Sequence, residues 1–199
     1  REYLALENIV GTPAIKLEEL LTRHREISKE LSETGPILKH FNHYIHAGYY
    51  PYYKENREQA IYYQRILNSA DKSIFEDIPF VANLLSENLV VFKELLIFLS
   101  SITPGEVNIH KIAKNIGKKD ETIKSYLQIL RDTSLLRFLP NSLAGHSKLK
   151  AMEKIFLDNT NLLSALCFFT GKAPEVGLLR ETFAVEQFQS AGHIPLYSK

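Results

Sequence analysis

The chain is short of cysteine: it has one, Cys167, inside the apolar run Leu162-Leu163-Ser164-Ala165-Leu166-Cys167-Phe168-Phe169. A lone cysteine excludes an internal disulfide, and any metal site would need ligands of other kinds. Cys167 therefore reads as a small buried apolar residue. No signal peptide opens the sequence. The most apolar run, Leu89 to Leu99, is interrupted by Lys93 and Glu94. It falls short of the roughly 18 uninterrupted residues that a membrane span needs, so no membrane partner is expected. These absences together point to a reducing, cytoplasmic location. There is no internal repeat, no low-complexity segment and no catalytic constellation.

What is present is an ordinary core and an uneven charge. Of 199 residues, 45% are hydrophobic and 24% charged, which suffices to bury one large domain or two small ones. The net charge is +1. Between Asn108 and Lys154, however, ten Lys/Arg stand against four Asp/Glu, which leaves the remainder at −5. A basic module inside an acidic chain is the asymmetry that nucleic-acid binding requires.

That module also has the clearest pattern. Asn108 can cap a helix with Ile109, Ile112, Ala113 and Ile116 at helical spacing. Gly117 supplies a turn. Asp120 can cap a second helix bearing Ile123, Tyr126, Leu127 and Leu130. Leu135 to Leu139 and Lys154 to Leu157 read as strands around a loop from Pro140 to Lys150, and Val107-Asn108-Ile109 as a short strand ahead of them. Two short helices followed by a hairpin make a winged helix-turn-helix with the loop as its wing.

The preceding residues read as a bundle of four to six helices: Leu17 to Leu31, Ile37 to Ala47, Arg57 to Ala70, a turn at Val81 to Leu85, and Leu89 to Ser100 capped by Asn88. Arg1 to Val10 reads as a tail or short helix. Gly35-Pro36 and Asp77-Ile78-Pro79 read as breaks. In the third helix the expected face is Ile61, Tyr62, Arg65, Ile66 and Ser69. After the hairpin come helices at Asn159 to Phe169, capped by Asp158 or Asn159, and at Leu178 to Ser190. His193 to Tyr197 looks like a strand without partner strands. With Arg1 rather than Met at the start, this reads as a piece of a longer protein. The expected fold class is mainly α, with domains at 1–102 (helical bundle), 103–158 (winged helix) and 159–199 (the start of a further domain).

Several short motifs, in order, resemble the C-terminal region of bacterial and archaeal predicted ATPases of the AAA+ superfamily. Arg1-Glu2-Tyr3-Leu4 resembles the end of their SFREYL motif, and Ala47-Gly48-Tyr49-Tyr50-Pro51 their Gly-Gly-Phe-Pro, with Ala47 in place of the first glycine. Asp77-Ile78, Thr122-Ile123 with Tyr126-Leu127, and Lys154, Phe156 and Asp158 resemble further family positions. Gly177, Glu181 and Val185 resemble the helix that opens a nuclease-like domain of the PD-(D/E)XK type. The resemblance implies a helical lid, a winged helix and a truncated α/β nuclease-like domain. It also implies ATP and Mg as cofactors of a parent protein, with the missing N-terminal ATPase domain as a partner. No Gly-rich loop with Lys-Ser/Thr occurs here, so the chain itself is expected to hold no cofactor.

The candidate site residues follow. With the apolar stripe inward, Thr122, Lys124, Ser125 and Gln128 remain outside, Lys118 and Lys119 stand at the helix start, and Lys148 and Lys150 lie in the wing. They are the expected contacts to double-stranded DNA. The bland alternative is a solvated lysine face on a module that packs against protein, including a second copy. Glu181 is the nuclease-like helix glutamate by resemblance, and the remaining ligands of such a site would lie beyond Lys199. His40, His43 and His46 drift around a helix at steps of three, unlike the i, i+4 spacing of helical metal ligands, so they read as ordinary histidines. The tyrosines at 44, 49, 50, 52, 53, 62 and 63 read as core rings rather than base-stacking surfaces, because few lysines interleave with them.

Overall fold

The computed structural model describes residues 2–9, 15–33, 35–56, 58–82, 84, 86–102, 107–142 and 153–198. It is mainly helical, with one small antiparallel sheet among the described residues. Two compact units divide at Gln59/Ala60. The expected divisions at 102/103 and 158/159 both fall inside the second unit. Among the described residues no helix is long and apolar enough to cross a membrane.

The first unit starts with α1 (Glu2–Leu6), a helix in the stretch expected as tail or helix. Its Tyr3 is buried against the rings of His43, Tyr44 and Tyr53, and its hydroxyl meets His43 Nδ1 at 2.8 Å. Burial pushes the Tyr3 phenol up to about 12. Tyr53 donates to Glu7, whose carboxylate also faces Lys54 Nζ at 3.3 Å. Helix α2 (Leu17–Glu33) carries non-helical angles at Arg23, and α3 (Ile37–His43) runs on into a π-helical turn at Tyr44–Gly48. Gly48 is sterically dictated: a Cβ there would meet the Tyr3 ring at 2.7 Å. Of the apolar residues on these helices Leu20, Leu21, Leu38 and Phe41 are exposed, Leu21 by 69% and Leu38 by 79%, while Ile27 is buried.

The second unit is built on α6 (Ser86–Ser100). Leu89, Val91, Phe92, Leu95, Leu96 and Leu99 of this helix are all buried. The helix packs against α8 (Asp120–Asp132), α9 (Thr160–Phe169) and strand β2 (Glu153–Leu157). Asn88 lies within its first turn and is not its cap. Helix α4 (Gln59–Lys72) buries Tyr62, Tyr63, Ile66 and Ala70, whereas Arg65 and Ser69 of the expected face are exposed. Its Tyr62 hydroxyl donates to Asn161 Oδ1 at 2.6 Å.

The chain does not break at Asp77-Ile78-Pro79. A π-helical turn at Ser73–Asp77 leads straight into α5 (Ile78–Val81). Pro79 lies just after the π-helical turn, so the run stays helical across a residue that has no N–H to donate. The helix ends at Ala82, where the backbone becomes extended.

Strand β1 (Leu136–Pro140) pairs antiparallel with β2, placing Arg137 opposite Phe156 and Leu139 opposite Lys154. No strand forms at Val107-Asn108-Ile109: Ile109 already opens α7 (Ile109–Ile116). Asn159, fully buried, caps α9 by accepting from Asn161 N at 3.0 Å and Leu162 N at 2.9 Å. Asn159→Ala removes the one oxygen that accepts both bonds and is expected to cost about 1–2 kcal/mol, read as a lowered midpoint in urea at unchanged slope. Cys167 is buried and donates to Ser100 O at 3.5 Å, and burial raises its thiol pKa.

Helix α10 (Val176–Ser190) starts at the Glu175 cap, whose side chain accepts from Leu178 N. The terminal segment at 193–197 has a partner, which corrects the expected orphan strand. Tyr197 makes a parallel bridge to Asn141: its N–H donates to Pro140 O at 3.1 Å, and its carbonyl accepts from Ser142 N at 2.8 Å. Two prolines stop the ladder there. One ladder step back, Pro195 has no N–H to give Phe138 O, and Pro140 has none to give in return. The side chain of Gln189 fills the gap, donating from Nε2 to Phe138 O at 2.9 Å.

Candidate functional site

Two short helices and the hairpin position the candidate residues. Helix α7 is fixed at its start by Asn108 Oδ1, which accepts from Lys111 N at 2.9 Å. At its end Gly117 takes the left-handed conformation, φ +71°, which only glycine adopts without strain. Gly117 N–H and Lys118 N–H both donate to Ala113 O. The chain then reverses into α8. Its cap position is Lys119, not Asp120, with an extended backbone and no side-chain cap. The first N–H groups of α8 therefore face outward without a side-chain acceptor at the cap, at the positive end of the helix dipole.

Ile123, Tyr126, Leu127 and Leu130 are buried, as their spacing predicts, and the Tyr126 ring packs tilted on Phe92 with centroids 4.7 Å apart. This seating fixes the outward face of α8. Lys118, Lys119, Lys124, Ser125 and Gln128 are exposed and Thr122 is half-buried. Lys118 is partly spent: its ammonium donates to Asn88 Oδ1 at 3.1 Å. With its amide oxygen turned toward Arg131, Gln128 accepts from the guanidinium Nη1 at 2.8 Å. Asp120 faces His110 Nδ1 at 3.3 Å, while Glu121 is exposed. Lys111 and Lys114, not singled out from the sequence, add two exposed cations on α7. Lys148 and Lys150 lie outside the described residues.

Glu181 is brought to the hairpin rather than to other carboxylates. Its Oε2 accepts from Lys154 Nζ at 2.8 Å, and that ammonium also lies 5.5 Å from the Tyr197 ring centroid. Among the described residues no group of three or more His, Cys, Asp or Glu is placed to hold a metal ion. Glu181 and Glu186 differ sharply in surroundings, as their spacing of five predicts: the Glu181 side chain is 40% exposed and Glu186 is buried.

A second polar cluster was not legible in the sequence. Arg137 Nη2 meets Asp158 Oδ1 at 2.8 Å, and Arg137 Nε donates to the Asp158 carbonyl at 2.6 Å. Both side chains are more than four-fifths buried. Glu186 lies close enough to feel both charges. The only sequence signal was a charged residue inside the short strand, and nothing local tells that its partner follows the returning strand.

Burial holds the Glu186 carboxyl above its ordinary range, with a smaller raising effect from Asp158, against lowering by Gln187, Arg137 and Ser190. An acid whose folded pKa exceeds its unfolded one adds stability while protonated. That contribution is present at low pH and is lost as pH climbs from the ordinary carboxylate range through the raised value. Glu186→Gln should therefore raise the melting temperature at neutral pH, with the gain shrinking toward pH 4.5. Melting curves of the two proteins across that range check it, and parallel curves would refute it.

A family model described as "Domain of unknown function (DUF8612)" matches residues 38–173. The matched stretch runs from α3 past the end of α9 and includes the whole outward face of α8. No curated protein and no solved structure matches the chain.

Proposed function

The chain belongs to the DUF8612 family, and within it we propose that residues 107–158 act as a winged helix-turn-helix whose α8 is the recognition helix for double-stranded DNA. On this reading the chain is the non-catalytic lid and winged-helix portion of an AAA+-type ATPase. ATP and Mg would then belong to the N-terminal domain of such a protein. The observation that carries the DNA reading is the outward face of α8. Its apolar stripe is consumed by the core, and Lys119, Lys124, Ser125 and Gln128 are left to solvent with an uncapped helix start. Lysines position a duplex by its phosphates, while Thr122, Ser125 and Gln128 are of the residue types that reach base edges. Glu121 in the first turn opposes close phosphate approach, so affinity should be modest and steeply dependent on salt.

The test is fluorescence anisotropy of the whole chain with a labelled duplex over a salt series. Lys119→Ala/Lys124→Ala should weaken binding and reduce the slope of log K against log salt by roughly 2, about one per phosphate contact. Asn88→Ala, which frees the Lys118 ammonium, should not weaken it. No binding at low salt removes the DNA role.

A second reading, docking onto protein, is favoured by Phe80, which is 90% exposed at the end of α5. Light scattering after size exclusion, alone and mixed with an upstream ATPase domain, discriminates the two. A stable complex or dimer that needs Phe80 supports docking, and a monomer that binds duplex supports the first reading.

A further inference from the structure

The outer edge of β1 borders an open cleft of about 430 Å³, a usual size for a small-molecule site. Arg131, Ser134, Arg137, Phe138, Gln189 and Ile194 are among its walls. Its polar groups are unevenly used. A guanidinium has five N–H donors. Arg137 directs one at the Asp158 carbonyl, one at Asp158 Oδ1 and one, at 3.5 Å, at Gln189 Oε1. Two donors of Arg137 remain. Arg131 binds Asp132 Oδ1 through Nε and Nη2 and holds Gln128 through Nη1 and Nη2, which leaves it one. Its guanidinium lies 5.3 Å from the Phe138 ring centroid.

The backbone adds a donor. Asp158 N donates to Leu135 O at 3.0 Å, so residues 135, 137 and 139 face β2 and residue 138 faces the cleft edge. The N–H of Phe138 thus points to that edge beside its carbonyl, which Gln189 already occupies. Three acceptors nearby are engaged. Asp158 Oδ1 takes Arg137, Asp158 Oδ2 takes Asn159 Nδ2 at 3.0 Å, and Pro140 O takes Tyr197 N. Among the described residues in the walls the one carboxylate, Asp158, is already paired, while donors on Arg137, Arg131 and Phe138 remain.

We propose that this cleft binds the oxyanion of a small phosphate-bearing ligand, held by Arg131, Arg137 and the Phe138 N–H. The two remaining donors of Arg137, one of Arg131 and a backbone N–H suit a phosphate, whose oxygens accept several charge-assisted bonds at once. The remaining volume, walled by Phe138 and Ile194, accommodates an organic portion attached to the phosphate. The site shares α8 with the DNA face through Arg131 and its contact to Gln128, but it uses neither Lys119 nor Lys124, so the lysine variant distinguishes it from DNA binding.

The probe is inorganic pyrophosphate, titrated into the whole chain by calorimetry and by amide chemical shifts. Saturable binding that moves the Phe138 amide is expected. Arg131→Gln, at the surface and safe for folding, should weaken it by about tenfold or more, the loss of one charge-assisted pair. Arg137→Lys keeps a charge beside Asp158 but loses the fork, and should weaken it as well. Lys119→Ala/Lys124→Ala should leave it unchanged. The proposal is overturned by any of four results: no saturation, a Phe138 amide that does not move, undiminished binding in Arg131→Gln, or equal loss in the lysine variant.

Discussion

Phe92→Ala is expected to destabilise the unit at 60–199 by about 3–5 kcal/mol, a large share of the stability of an ordinary domain. Phe92 has no exposed surface and lies at the middle of α6. Its ring packs on Tyr126, so it joins the central helix to the helix that carries the candidate site. Alanine there leaves a cavity beside Tyr126 on α8. Chemical denaturation should show a much lower midpoint. Phe92→Leu, which keeps most of the volume, should lose less than about 1.5 kcal/mol. A loss below about 1 kcal/mol in Phe92→Ala would mean that α6 is not the core of this unit.

Asp158→Ala is the second large effect, expected at about 3 kcal/mol. Removing one partner of a mostly buried ion pair leaves the other charge without compensation. The Asp158 carbonyl still accepts from Arg137 Nε, which holds the loss at the lower end of the usual range. Asp158 also raises the Glu186 pKa, so its removal should let Glu186 ionise more readily and partly replace the lost carboxylate. The effects of Asp158→Ala and Glu186→Gln should therefore fail to add. Stability measured for both single variants and the double variant gives the coupling, and strict additivity would contradict the shared cluster.

The parts of the fold that were readable were those fixed by local chemistry. Asn108, the Ile109–Ile116 spacing, Gly117 and the buried stripe of α8 each act within a few residues, and the structure reproduces them. The failures share a cause in distant context. Asn88 is a good cap, but α6 begins two residues earlier, and Asn88 instead holds Lys118 across 30 residues. Asp120 is a good cap, but the extended backbone of Lys119 moves the start of α8 by one position. Pro79 reads as a break, yet the chain stays helical from α4 through the π-helical turn into α5. The outward residues at 118–128 followed from periodicity alone. The Arg137–Asp158–Glu186 cluster joins β1, the end of β2 and α10, and no periodicity could supply it.

The most direct test of the central claim places a photo-crosslinker on α8. In a Cys167→Ala background, the reagent is attached through Ser125→Cys and, as a control, through Ser69→Cys on the exposed side of α4. The chain is then irradiated with duplex DNA at low salt. The account predicts a crosslink from position 125 that salt suppresses, and none from position 69. No crosslink at 125, or equal crosslinking at both positions, would contradict α8 as the face that meets DNA.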